Sequence, residues 1–182
     1  MPVQPKLVAQ ALAVAGVAAL LGLLVWRVAH QAGGGVAQKV AHGQHPTAPD
    51  FALRRLDGRG RLALRSLRGR AVVLNFWQST CPPCVSEAPA FERAWQRFRG
   101  DGVVFVGLDF WDLDSDARRF VRRHGITYPQ VYDGPGTTLQ PYGVTGAPET
   151  FFVDRRGRVV AHALGQLSER QLARRLQEVL RS

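Results

Sequence analysis

The chain has 182 residues, 46% of them apolar, a formal net charge of +10 and only two cysteines. That length supports one domain of about 130 residues plus an extension, large enough to bury a core without a disulfide scaffold. The charge does not mark a nucleic-acid binder. From residue 51 onward 21 Arg interleave with 13 acids, in short pairs such as Arg118-Arg119 and Arg174-Arg175, with no aromatic interleaving and no recognition-helix motif, which describes a solvated basic surface.

Leu7 to Trp26 is an uncharged run of 20 residues whose one polar side chain is Gln10. At helical rise it matches the roughly 30 Å hydrocarbon core of a bilayer, so a single membrane-spanning anchor is expected within residues 1–29. A cleavable signal peptide is the rival reading. Its apolar region usually runs about 7–15 residues and ends near a small-x-small cleavage site, and Trp26-Arg27-Val28-Ala29-His30 offers none. Lys6 before the run and Arg27 and Lys39 after it give the positive-inside rule no clear vote. Over residues 30–46, Gly33-Gly34-Gly35, Gly43 and Pro46 lie among small and polar residues, and a flexible tether with a typical end-to-end distance of roughly 25 Å is expected. His30, His42 and His45 read there as solvated, because a metal site in a flexible segment would have to order that segment.

A domain over 47–182 follows. Phe51-Ala52-Leu53 and Leu62-Ala63-Leu64, around the turn Asp57-Gly58-Arg59-Gly60, predict a peripheral hairpin. Ala71 to Trp77 predicts a continuous buried strand. It runs into Cys81-Pro82-Pro83-Cys84, where two intervening residues let both thiols lie at the first turn of one helix and close a small, reducible ring. Amides at a helix N-terminus carry partial positive charge and favour a thiolate, which makes Cys81 the candidate nucleophile and the less exposed Cys84 the resolving thiol. Pro82 suits a first turn that needs no amide donor. A structural zinc site fits less well, since it needs four ligands and no second C-x-x-C or H-x-x-x-H is present. An inert disulfide closing so short a loop would restrain the unfolded chain little. Neither a metal nor a cofactor is expected.

Helical spacing continues at Val85, Ala88, Phe91, Ala94, Trp95 and Phe98, with Pro89 expected to bend the helix. A second buried strand is predicted over Gly102 to Phe110, and then a helix capped by Asp114 with Ala117, Phe120, Val121 and His124 inward. A loop through Tyr128-Pro129 and Gly134-Pro135-Gly136 leads to strands at Thr150–Val153 and Val159–Ala161. A last helix opens on a Ser168/Gln171 capping box and buries Leu172, Leu176, Val179 and Leu180. Strands that first alternate with helices and then form a hairpin closed by a helix give an α/β fold, a mixed sheet covered on both faces.

Ala48-Pro49-Asp50-Phe51, the strand end Asn75-Phe76-Trp77 before C-P-P-C, Glu87 three residues after Cys84, and Gly143-Val144-Thr145-Gly146-Ala147-Pro148-Glu149-Thr150-Phe151 together carry a specific likeness. Over roughly residues 47–180 the chain resembles the membrane-anchored thiol-disulfide oxidoreductases of the TlpA/ResA/CcmG (DsbE) type, and its last motif most resembles the CcmG branch. The resemblance implies a thioredoxin fold with an N-terminal β-hairpin extension, preceded by one transmembrane helix. It implies that Pro148 is a cis-proline facing the two cysteines, that the backbone of Ala147 pairs with a bound client chain, and that Glu87 tunes the cysteines. Asn75 stands where ordinary thioredoxins, which the domain resembles in fold, carry a buried Asp, leaving Glu87 as the better proton acceptor for Cys84. Trp77 keeps a family aromatic. Thr80 replaces the tryptophan usual before the first cysteine, which opens the surroundings of Cys81.

Proteins of this kind imply a single-pass protein of the cytoplasmic membrane with its domain outside the cytoplasm, apocytochrome c as the client whose thiols are reduced for haem attachment, and a CcdA- or DsbD-like membrane protein as electron donor. Exchange chemistry by itself also allows a general oxidant of protein thiols or a reductase with another client. Two further readings fit less well. Peroxiredoxins share the A-P-D-F motif but place Thr or Ser three residues before the reactive cysteine, where this chain has Gln78. Sco-like copper delivery, with His162 as the distant ligand, would need C-x-x-x-C.

Overall fold

The computed structural model describes residues 5–31 and 35–181. Residues 1–4 of the expected anchor and 32–34 of the expected tether lie outside the described residues. The chain divides into two compact units after residue 34. The first contains α1 (Pro5–Gln31), a continuous helix of 27 residues rich in Ala and Leu, the strongest helix formers among apolar residues. Its described side chains, Gln10 and residues 12–26, are all exposed. Among the described residues no helix is long and apolar enough to cross a membrane.

The second unit is organised around one seven-stranded sheet. In chain order its strands are β1 (Ala52–Arg55), β2 (Arg61–Ala63), β3 (Ala71–Trp77), β4 (Val103–Phe110), β5 (Gln130–Asp133), β6 (Glu149–Val153) and β7 (Val159–Leu164). They lie in the spatial order β2-β1-β5-β4-β3-β6-β7. The inner strands β3, β4 and β5 are parallel, and all other pairings are antiparallel. Seven consecutive buried residues make β3 central, because a strand with both faces covered can be apolar throughout.

The two-residue repeat of a strand sends its side chains to two separate cores. Val72, Leu74 and Phe76 pack with Val104, Val106, Phe151 and Tyr142 on one face. Ala71 and Val73 pack on the other face with Phe105 and Phe152, under α3 (Pro82–Phe98) and α6 (Glu169–Arg181), which contribute Phe91, Ala94, Leu172 and Leu176. Trp77 and both cysteines belong to a third cluster, completed by Ala117 and Phe120 of α4 (Asp114–Arg123).

Several expectations need correction. The stretch 30–46 is not a uniform tether, since residues 36–41 form α2 (Val36–Ala41) and Val36 is buried in the first core. Beyond it the chain is fixed along β7, where the Val159 amide donates to Pro46 O at 2.8 Å and the Ala48 amide to Gly157 O at 2.9 Å. The N-terminal hairpin is part of the main sheet, because β1 pairs with β5 through Arg54↔Tyr132 and Arg55↔Val131. The loop read through residues 128–136 contains β5, and a short helix, α5 (Leu139–Tyr142), follows. Asp114 is not the cap of α4. Leu113 occupies that position, and Asp114 instead pairs with Arg54 and Arg118 at 2.6 and 2.8 Å. Pro89 lies within α3, which continues to Phe98 as the helical spacing predicts. The Ser168/Gln171 box closes as expected, with the Ser168 amide donating to Gln171 Oε1 at 2.9 Å.

Candidate active site

Strand β3 delivers the chain to the start of α3 through a short turn, and Cys81 takes the N-cap position with extended backbone (φ −87°, ψ 109°). Its sulfur accepts the Cys84 amide at 3.2 Å, so the atom expected to react sits where unpaired helix amides converge. Cys81 and Cys84 are disulfide-bonded with Cα atoms 5.2 Å apart. Cys81 is 8% exposed and Cys84 is 2% exposed, so the more accessible sulfur is the one at the helix terminus. The Ala147–Pro148 peptide is cis, and the Ala147 carbonyl oxygen lies 3.5 Å from Cys81 Sγ.

Trp77 forms the inner wall. Its ring stacks on Phe120 at 4.4 Å between centroids, and Nε1 donates to Gln130 Oε1 at 2.9 Å. Gly107 makes this bond possible, because a Cβ there would overlap the Gln130 carboxamide. Thr80 is exposed beside Cys81.

Beneath the disulfide, Glu87 is buried with Asn75 and touches the same small cavity as Cys84, of about 10 Å³, close to the minimum that one water needs. Asn75 Nδ2 donates to Glu87 Oε1 at 2.8 Å and the Leu167 amide to Oε2 at 3.1 Å. Burial raises the Glu87 carboxyl to about 7, against the smaller opposing effect of these two donors. Behind the cis-proline lies a carboxylate that sequence reading gave no role. Glu149 Oε1 accepts the Thr145 amide, the Thr145 hydroxyl and the Gly146 amide at 2.7, 2.8 and 3.0 Å, and Oε2 faces His162 Nε2 at 2.9 Å. Burial pushes this carboxyl up, but the bonds from His162, Thr145 and Gly146 outweigh it and hold the group below the usual range.

The sequence reading also missed Asp109. It is fully buried on β4 beside Trp77, and among the described residues its two oxygens are the only buried side-chain polar atoms without a hydrogen-bond partner. Burial raises it to about 9, and the neighbouring carboxylates of Asp112, Asp114 and Asp133 add to that shift. A neutral Asp109 can share its proton with Asp112, whose Oδ2 accepts the Ser79 amide at 2.5 Å. An acid inside the apolar run Val103–Phe110 was the available signal. A buried charge needs partners, and that run supplies none.

The structure therefore gathers Trp77, Thr80, Cys81, Cys84, Glu87, Ala147 and Pro148 at one end of the sheet, where β3 ends and β6 begins. His162 is not among them. It bonds Glu149 and stacks on Phe151 in the core opposite α3, and among the described residues no group of three or more His, Cys, Asp or Glu could hold a metal ion.

Residues 45–162 match the AhpC/TSA family. The thiol-disulfide oxidoreductase ResA of Bacillus thuringiensis is 31% identical over 132 residues, covering 72% of this chain and 76% of that protein. Among solved structures, a thiol:disulfide interchange protein of the thioredoxin family from Chlorobium tepidum superposes with a TM-score of 0.69 at 28% identity, over 75% of this chain and 97% of that one. MTB DsbF superposes with a TM-score of 0.68 at 31% identity, over 75% and 99% of the two chains.

Proposed function

From a chain that belongs to the AhpC/TSA family, and within it to the thioredoxin-like thiol-disulfide oxidoreductases of the ResA and DsbE type, we infer a reductase that acts on apocytochrome c outside the cytoplasm. The observation that carries this reading is the Cys81–Cys84 pair at the N-terminus of α3, held against the backbone of Ala147 before a cis-proline.

In the reduced enzyme the Cys81 thiolate attacks one sulfur of the client disulfide. A mixed disulfide forms and the other client sulfur leaves as a thiolate. Cys84 then loses its proton and attacks Cys81 Sγ, releasing the second client thiolate and closing the Cys81–Cys84 bond. Two electrons have passed to the client. Glu87 is the acceptor for the Cys84 proton: with a carboxyl raised to about 7 it is part ionised at neutral pH and shares a cavity with that sulfur. Ala147 offers its carbonyl to the client backbone, and Trp77 seats the cysteines from below.

Re-reduction is assigned to a CcdA- or DsbD-like membrane donor. An anchor over residues 7–26, within the continuous helix α1, would hold enzyme, donor and haem-attachment machinery on one surface and raise their local concentration. The uncharged sequence of that run supports the anchor, and the likeness to the ResA and DsbE type supports placing the domain outside the cytoplasm. Deleting the protein is expected to lower covalently haem-bound cytochrome c, and an added small-molecule thiol to restore it. Intact cytochromes with slowed disulfide formation in exported proteins would make the enzyme an oxidant instead.

A further inference from the structure

One buried acid takes no part in the exchange steps above. Asp109 pairs with Trp77 across β3 and β4, at the end of the register that leads into the turn before Cys81. It is fully buried, and neither of its carboxyl oxygens has a hydrogen-bond partner. Its side-chain neighbour is Asp112, half-buried in the turn that follows β4. Two carboxylates offer each other only acceptors, whereas a carboxylic acid donates to a carboxylate. One proton between the two groups therefore satisfies Asp109 and leaves a charge for Asp112, whose Oδ2 accepts the Ser79 amide at 2.5 Å.

The turn around Asp112 is built to hold this placement. Trp111 adopts φ +57°, the one positive φ outside glycine among the described residues, a region that bulky side chains enter only where their surroundings over-determine it. Two bonds do so here: the Trp111 amide donates to Gly134 O at 3.1 Å and the Tyr132 hydroxyl to Asp112 O at 2.9 Å. Asp109 is fixed in turn by its place on β4 between β3 and β5. The other acids that face it are occupied. Asp114, at the start of α4, is held by Arg54 and Arg118 at 2.6 and 2.8 Å, and Asp133, on β5, by the amides and hydroxyls of Thr137 and Thr138. From β3 the facing residue is Trp77, which lies in one cluster with both cysteines and brings no positive charge.

We propose that Asp109 and Asp112 form a proton-sharing clasp that positions the turn Gln78–Thr80, so that loss of the shared proton frees the Ser79 amide and slows exchange at Cys81. The proposal rests on disulfide exchange through Cys81, and Asp109 is a positioning residue in it, touching neither client nor sulfur. The proton leaves to solvent by way of the half-buried Asp112. Two anions then face each other, and Asp112 is the one with room to turn away, taking the acceptor from Ser79. A loosened turn shifts Cys81 from the converging helix amides, and small displacements of a reacting atom are costly in rate. Burial and the neighbouring carboxylates keep the proton on the pair up to about 9, so the clasp is closed in acid and neutral solution and opens as the medium turns alkaline.

The test follows the reduced full-length protein reacting with 2-hydroxyethyl disulfide, a neutral probe, from about pH 6 to about pH 10, beside pulsed hydrogen exchange at Ser79 corrected for its intrinsic pH dependence. Asp109→Asn keeps the shape and supplies a permanent donor to Asp112. The thiols are the same in both proteins, so their titration cancels in the ratio of rates. That ratio, native to variant, should stay near one in acid and fall to about one-tenth at the alkaline end, while Ser79 protection falls in the native protein and holds in Asp109→Asn. Asp112→Ala, which removes the acceptor, should react about 10-fold slower than the native protein already at about pH 6. Parallel rate profiles for the native protein and Asp109→Asn would overturn the clasp. So would a falling ratio with Ser79 still protected, which would make the charge act on Cys81 through space, and so would a native rate in Asp112→Ala. Failure of the native protein to exchange with the probe at any pH would instead sink the exchange reading, and Ser79 protection would still test the clasp alone.

Discussion

Glu87 under Cys84 and Glu149 behind the cis-proline are equally buried, yet the first is lifted to about 7 and the second is held below the ordinary carboxylate range. Donors separate them. Glu87 receives two hydrogen bonds, and Glu149 receives three plus the His162 contact. Asp109 extends the series, with no donors and a carboxyl raised to about 9. Desolvation acts on all three and is weaker at Glu149, so depth and the donors aimed at the oxygens together decide which stays charged. The fixed charge of Glu149 suits a clamp on the 145–148 loop. The poised charge of Glu87 suits proton transfer.

The comparison breaks most visibly at Glu149. Glu149→Ala strands the Thr145 and Gly146 amides and His162, and should cost about 3–5 kcal/mol in denaturant unfolding; a loss below about 1 kcal/mol would deny the clamp. Glu87→Gln keeps the shape and removes the ionisable group. It should slow closure of the Cys81–Cys84 bond by about 10- to 100-fold in rapid-mixing measurements and lower the apparent pKa of the dithiol, because one of two mutually repelling anions is gone. An unchanged rate and titration would reduce Glu87 to a packing residue.

Asp109 sharpens the same series through pH. Its folded pKa lies above the unfolded value, so the folded state holds the proton more tightly and stability falls as pH rises from about 4 to about 9. That decline contributes at most about 1.4 kcal/mol per pH unit. Asp109→Asn should flatten it in unfolding curves taken across the window, and parallel curves for both proteins would contradict the neutral, buried acid. The smallest effect is expected at His162, where Glu149 keeps its three other donors. His162→Gln should lower the unfolding midpoint by the equivalent of about 1 kcal/mol, with peptide reduction unchanged.

Much of this arrangement was legible in the chain. The apolar run Ala71–Trp77 ending in C-P-P-C specified the central strand, the helix start and which cysteine sits at its N-terminus, because local rules of burial and capping govern all three. The motif around Pro148 pointed to the loop that meets the cysteines. What escaped reading depends on contacts distant in sequence. Strand β5 is four residues long, too short for periodicity to stand out from a loop, and the pairing that defines it comes from β1 and β4. Helix α2 escapes reading because a stretch of six residues is too short to show a helical period, and Val36 finds its core only in the fold. Glu149 and Asp109 looked like ordinary acids. Only the folded chain reveals that one faces four donors and the other faces carboxylates.

The fixing of residues 46–48 along β7 has a consequence for solubility. An outer strand with free amides and carbonyls is a template for any passing extended chain, and it invites aggregation. Here the chain's own Pro46 and Ala48 take up hydrogen bonds at Gly157 and Val159, where β7 begins, while the opposite border, β2, is only three residues long and begins with the exposed Arg61. Short length and positive charge both discourage strand addition. A protein proposed to bind client chains would otherwise be captured by them. With β2 short and the start of β7 occupied, fewer open strand positions compete with the proposed client contact at Ala147, where binding would end in exchange and release rather than in a growing sheet.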